Sequence, residues 1–400
     1  MRCSKCLMIS IFILILCAFC FAQGAGLASI ASGVLCLTGC RLIDGTGAAP
    51  DDNEVIVLKD GIITHVGTSS AIDIPKGANV IDLKGATVMP GFINAHVHSA
   101  YNEQNLKNWL MAGVTTVRDE APRVSGNFLA ERDRLNENPA HARIVSATPI
   151  LSVHGGYGGD SFTSARSASE LVSQYIAEGV DIIKISIEDD LQGRTWNMPT
   201  YEEIKAAVDA AHAGGRKVSV HISHERNLKW AMDAGVDDIA HMVVEPISKE
   251  TAGQIVQKGI YWVPTLELWN GVSKDYGLNW IDVALGNLSA FYKAGGQVAL
   301  GTDFAGYSIR FDTGFPITEV NLMRQAGMTP MDIIIAGTRN AAHVCGLDST
   351  LGTVEVGKIA DLLVVNGDPL DENIPFEKSF LSVRMVVHGG EIVVNNDNAP

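Results

Sequence analysis

The sequence predicts an α/β fold: a (β/α)8 TIM barrel with a small β-sandwich domain built from both chain ends. Three observations point there. Across residues 89–345, eight short apolar runs alternate with helical patterns. β-rich runs broken by Gly and Asp turns flank that stretch on both sides. Histidine, lysine and aspartate recur at the ends of successive apolar runs. Strand and helix alternating over about 250 residues is the pattern of a parallel barrel, with a doubly wound sheet as the rival arrangement. The 400 residues, 46% of them hydrophobic, suffice for a core of that size.

The chain opens on Arg2 and Lys5, followed by the apolar run LMISIFILILCAFCFA ending at Ala22. A basic start, an apolar middle and a small residue describe a signal peptide over 1–22, and a secreted or periplasmic protein free of the membrane once the leader is cleaved. A retained N-terminal anchor is the other reading, although the run is short for a membrane span. Four of the seven cysteines fall in this leader, leaving Cys36, Cys40 and Cys345. If 34–43 is one strand, Cys36 and Cys40 lie roughly 13 Å apart along it, too far for a bridge. The formal charge of −15 and the lack of any Lys/Arg run argue against a nucleic-acid partner.

Residues 30–88 together with 346–396 are expected to form the small sheet domain, and 89–345 the barrel. In the first part VLCLTGCRLID, EVIVLKDGIITHVG and ANVIDLKGATVM read as strands, with KDG as a hairpin turn; GKIADLLVVNGD and VRMVVHGGEIVVN resume the style at the end of the chain, with HGG as another turn. The candidate barrel strands are 92–98, 113–119, 142–150, 180–187, 217–223, 236–242, 260–266 and 297–304. Helical patterns such as 200–215 and 224–236 lie between them, the latter reaching Gly235 at its end. A barrel with an open-edged sheet beside it is compatible with a homo-oligomer.

In a barrel of this kind, chemistry sits at the C-terminal strand ends. In GFINAHVHSA, His96 and His98 are two apart, so a strand turns both imidazoles to one face. The fourth candidate strand carries Lys184, the fifth His221, the sixth His241 and the eighth Asp303. Each residue alone is also what an ordinary core or surface position carries. The ordered set, one per strand end, points to a metal centre.

VMPGFINAHVHS, AGVTTVRD, VDIIKI, VSVHIS, AMDAGVDDIAH, LGTDF and GTVEVGKIADLLVVNGDP together resemble the amidohydrolase superfamily of metal-dependent hydrolases, over nearly the whole chain after the leader. The branch they resemble is the imidazolonepropionase-like group that includes Xaa-Pro dipeptidases; the Lys in DIIKI separates the dipeptidase-like members from one-metal deaminases and true imidazolonepropionases. The resemblance implies two divalent ions, with zinc expected from the imidazole-rich set. It implies that His96, His98 and Asp303 hold one ion, that His221 and His241 hold the other, and that Lys184, carboxylated by CO2, bridges them. It implies a shared water made nucleophilic at neutral pH, with Asp303 as general base and then general acid. The expected activity is cleavage of an amide bond in a small substrate, either a dipeptide such as Xaa-Pro or an N-acyl amino acid. A mononuclear cyclic-amide hydrolase or deaminase and a non-catalytic binding barrel are the alternatives.

Substrate contacts are expected from His154 and Tyr157 in the loop SVHGGYGGD, and from Arg310 as a partner for a substrate carboxylate. LELWNGVSKDYGLNW, with Trp269, Tyr276 and Trp280, reads either as the wall of an apolar pocket or as packing of a loop on the barrel. Arg118 is expected to pair with Asp119, His224 to start a helix, and Asn287 in NLS to suit glycosylation in a eukaryotic secretory route.

Overall fold

In the run IIKISIE, residues 182–188, isoleucines alternate with polar residues, and the strand period sends the two sets to opposite faces. The computed structural model describes residues 33–397. In it Ile183, Ile185 and Ile187 share a buried core with Ile204, Ala207 and Val208 of the helix Tyr201–Ala213. Lys184, Ser186 and Glu188 are just as buried, on the face that the strands turn toward one another. This division between a greasy outer face and a polar inner one is what positions the site.

Seven strands repeat the plan. β1 (Phe92–Val97), β2 (Val114–Asp119) and β3 (Arg143–Ser146) pair in parallel. So do β4 (Ile182–Ser186), β5 (Lys217–His221), β6 (Asp238–Ala240) and β7 (Tyr261–Val263). Parallel bridges at Ala147–Ile182, Trp262–Val298 and Val97–Phe304 link β3 to β4, β7 to the segment 297–304, and that segment back to β1. The pairings thus run in a ring with helices between, a TIM-barrel-type α/β arrangement.

Several strands are shorter than the sequence predicts, for local reasons. The third stops at Ser146, ahead of Pro149. The sixth stops at Ala240, because His241 takes a left-handed φ of 70°. The seventh stops before Pro264, which has no N–H to offer, and Thr265 at φ 48°. Both predicted helices form: Thr200 and Glu203 make a capping box for Tyr201–Ala213, and Gly235 in the left-handed region closes Glu225–Ala234, which starts after His224.

The β-rich ends of the chain meet. Thr87–Pro90 pairs antiparallel with Leu362–Val365, and with six further strands they form one mixed eight-stranded sheet. The pairings link these strands into a single hydrogen-bonded sheet. Its hairpins turn at Asp60–Gly61 and Gly389–Gly390, each pair with both φ angles positive, the conformation that a two-residue hairpin needs. Leu37, Ile56, Leu58, Val88, Val364 and Val387 pack in its core. The expected leader at 1–22 lies outside the described residues. Among the described residues no helix is long and apolar enough to cross a membrane.

Candidate metal centre

His96 lies in β1 and His98 just beyond it, and the last strand of the ring is laced to them. Thr302 and Asp303 donate their backbone N–H groups to the His96 carbonyl at 3.1 and 2.9 Å, and His98 donates to that of Phe304 at 2.7 Å. Asp303 itself sits at φ 62°, a left-handed conformation that costs an L-residue about 1 kcal/mol or more and persists only where the surroundings enforce it. Two glycines make room: a Cβ at Gly301 would lie 2.8 Å from that of His96, and one at Gly306 2.2 Å from Asp303 Oδ1. The result is that His96 Nε2 and His98 Nε2 approach Asp303 Oδ1 at 3.1 and 3.0 Å. The three ligand atoms lie within 4.8 Å of one another.

The other predicted ligands stand beside this corner. The His241 ring is 4.8 Å from that of His96 and 4.8 Å from that of His221, centre to centre. His241 Nδ1 is held by Thr265 Oγ1 at 2.9 Å, which leaves Nε2 to face the centre. Lys184 Nζ is 2.6 Å from Glu120 Oε2 and 3.5 Å from Ser219 Oγ. All six side chains are nearly inaccessible, and all six line one cavity of about 220 Å³.

The donor set suits a divalent cation. Burial, helped by the nearby Lys184 charge, holds His96 down to about 4. Burial also keeps His241 well below its ordinary value. For Asp303 burial pushes up, but the two imidazoles at its Oδ1 outweigh that and hold the carboxyl well below the usual carboxylate range. Neutral imidazoles and an ionised carboxylate are the protonation states a metal requires. Asp303 Oδ1 and His221 Nε2 are buried without an aligned hydrogen-bond partner. A second grouping of Glu188, Asp190 and His224 is less apt, because both ring nitrogens of His224 are already engaged, by Glu245 at 2.6 Å and the Asp190 carbonyl at 2.8 Å.

Two carboxylates beside the ligands escaped the sequence reading. Glu120, directly after β2, contacts Lys184 and also Arg118 Nε at 2.5 Å. Burial pushes its carboxyl up, yet the Arg118 and Lys184 charges prevail and bring it to about 2. Glu188 lies 3.3 Å from His221 Nε2 and is anchored by the Ser223 backbone N–H and hydroxyl. The alternation in IKISIE carried the signal for Glu188, since residues 184, 186 and 188 share a face.

The expected Arg118–Asp119 pair is not formed. Strand alternation sends the two to opposite faces; Arg118 forks onto Asp238 at 2.8 and 3.0 Å, while Asp119 accepts the N–H groups of Ala100 and Ala121. Tyr157 lies flat on the His221 ring, 4.2 Å away. His154 is exposed and does not line the cavity. Neither does Arg310: its neighbour Ile309 tucks against Gly271, which turns Arg310 to solvent. Trp269 and Trp280 wall the cavity, from helices rather than a loop, while Tyr276 is exposed. Asn287 is 3% exposed and bonded to the Val243 and Glu245 carbonyls, so it is closed to a glycan. Arg123 and Arg194, which the sequence did not single out, line the cavity.

The profile of the amidohydrolase family matches residues 87–393. Ochratoxinase of Aspergillus niger is 25% identical over 423 aligned positions, covering 88% of this chain and 85% of that protein. Imidazolonepropionase of Haloarcula marismortui is 22% identical, covering 88% and 92%. The crystal structure of a Xaa-Pro dipeptidase with methionine bound in its active site superposes with a TM-score of 0.77 at 24% identity, covering 90% of this chain and 99% of that one.

Proposed function

Because the chain belongs to the amidohydrolase family, we propose that it is a binuclear metal-dependent hydrolase that cleaves an amide bond in a dipeptide or N-acyl amino acid. His96, His98 and Asp303 would hold one ion, and His221 and His241 the other. Lys184, as a CO2-derived carbamate, would lie between them. The imidazole-rich set favours Zn2+. When bound, the ions supply a water that ionises near neutral pH and a Lewis acid for the substrate carbonyl. The chain's own residues do the rest. Asp303 Oδ1 faces His96 and His98, and its Oδ2 is the oxygen that takes the water's proton and returns it to the departing amine nitrogen. Tyr157, stacked on His221, and Thr265, bonded to His241, fix those two rings. A cavity of about 220 Å³ favours a small substrate.

The observation that carries this reading is the convergence of six predicted side chains on one cavity. A mononuclear cyclic-amide hydrolase is the second reading. It is favoured by the contact between Lys184 and Glu120, which suits an ammonium. Residues 1–22 are read as a leader for export, 30–88 with 346–396 as the sheet domain, and 89–345 as the barrel. The activity is tested with Xaa-Pro, Xaa-Arg and N-acyl amino acid substrates before and after prolonged chelation. Hydrolysis that disappears with the metal and returns with Zn2+ is expected; activity that survives chelation contradicts the proposal.

A further inference from the structure

We propose that Arg123 and Arg194, at the rim of the cavity, bind the carboxylate of the substrate's leaving amino acid, and that the aromatic walls between them and the metal ligands select a bulky apolar side chain. The assignment rests on the amide-hydrolase reading above. Other arginines of the chain are already paired: Arg118 with Asp238, Arg132 with Asp181, and Arg226 with Asp189 and Asp190. Among the described residues, Arg123 and Arg194 have no carboxylate within ion-pair distance; Arg123 makes one contact, to the Ala305 carbonyl at 3.3 Å. In a chain of formal charge −15, two unpaired guanidiniums line one opening.

They come from different segments of the chain, and both segments touch the loop after Asp303. Arg123 follows β2 and touches the loop that carries Asp303. Arg194 belongs to the small hairpin of Asp190–Leu191 and Arg194–Thr195, which Gln192 ties to Tyr307 at 3.3 Å. Between rim and ligands run two aromatic walls. In one, Trp196 stands edge-on to Tyr157 at 5.1 Å, and Tyr157 covers His221. In the other, Trp280 stands edge-on to Trp269 at 5.4 Å, and Trp269 reaches to 6.0 Å from His241. A carbonyl placed at the ligand end puts an apolar side chain between the walls and leaves the charged end under the arginines. Guanidinium binds carboxylate through paired N–H donors, and a neutral end would use neither.

The test uses the metal-loaded enzyme with two probes, N-acetyl-L-phenylalanine and N-acetyl-L-phenylalaninamide. Binding is read from tryptophan fluorescence and turnover from acetate release. The acid is expected to bind about tenfold or more tighter than the amide to the wild type. In Arg123→Gln/Arg194→Gln the two probes should bind alike, and KM for the acid should rise. Trp196→Ala should weaken both probes together. Equal binding to the wild type, or a preference for the acid that survives in the double variant, overturns the assignment. Binding with preference but without hydrolysis of any amide upholds the arginines and breaks the hydrolase reading. Metal-dependent hydrolysis without preference breaks the arginine assignment alone.

Discussion

Two clusters of buried carboxylates lie close to the cavity, equally hidden from water and opposite in character. Glu120 is 0% exposed; burial pushes it up, but Arg118 and Lys184 hold it down at about 2. Glu267 and Glu319, 3% and 0% exposed, have no cation beside them among the described residues. Burial, joined by the Asp312 charge, pushes them up to about 9 and about 8. Burial sets the cost in both places, and the neighbours decide whether a group meets it by pairing or by keeping its proton. The first cluster is a chain of charges, Asp238 to Arg118 to Glu120 to Lys184, that fixes the floor of the site. The second works through hydrogen bonds. Glu319 accepts the N–H groups of Leu266 and Glu267 at 3.0 and 2.7 Å. It thereby holds the start of the helix that carries Trp269, next to Thr265, the partner of His241.

The comparison can be broken at either end. The largest effect belongs to Asp303: Asp303→Ala removes both a proposed ligand and the proposed base, and kcat should fall by about 10³-fold or more. An activity within tenfold of wild type, measured on the best amide of the panel, would remove Asp303 from the chemistry. Next, Arg118→Met leaves Asp238 buried without its cation and Glu120 with Lys184 alone, and should cost about 3–5 kcal/mol of stability, read by urea unfolding. A loss below about 1 kcal/mol would mean that the charged chain is not what holds the floor.

A smaller effect is expected from Glu188→Gln, which removes the carboxylate charge 3.3 Å from His221 Nε2. Zinc affinity should drop about 10–100-fold, measured by competition with a chromophoric chelator; unchanged affinity would reduce Glu188 to packing. The smallest effect sharpens the second cluster. The folded-state values of Glu267 and Glu319 lie above their ordinary value of 4.5. The folded chain therefore binds more protons than the unfolded one from about pH 4.5 up to pH 8–9, and stability falls as pH rises through that window. Glu267→Gln should raise Tm at pH 8 by a few degrees and flatten the slope between pH 5 and 8. Melting curves parallel to those of wild type at both pH values would show that Glu267 meets the cost of burial in another way.

What the sequence disclosed follows the same division between local and distant causes. The six side chains that converge on the cavity were legible because each ends, or sits in, an apolar run whose period is short and self-contained. The TIM-barrel-type alternation of strand and helix was legible for the same reason, and both hairpins were announced by their glycines. Arg118 was misassigned because its partner Asp238 lies 120 residues away, across the ring. The rim was the least legible part. Arg310 looked apt by nearness to Asp303, but the tuck of Ile309 turns it outward, and Arg123 and Arg194 reach the cavity from loops whose paths no local pattern sets. The shortened strands at His241 and Thr265 reflect left-handed residues that tertiary contacts impose.

The most direct test of the paired-cation centre is a count of metal per chain by plasma mass spectrometry on wild type and Lys184→Ala, both purified with zinc and CO2 present. The account predicts two ions per wild-type chain and loss of bound metal in the variant, together with its activity. Two tightly held ions in Lys184→Ala, or a single ion in a fully active wild type, would contradict it.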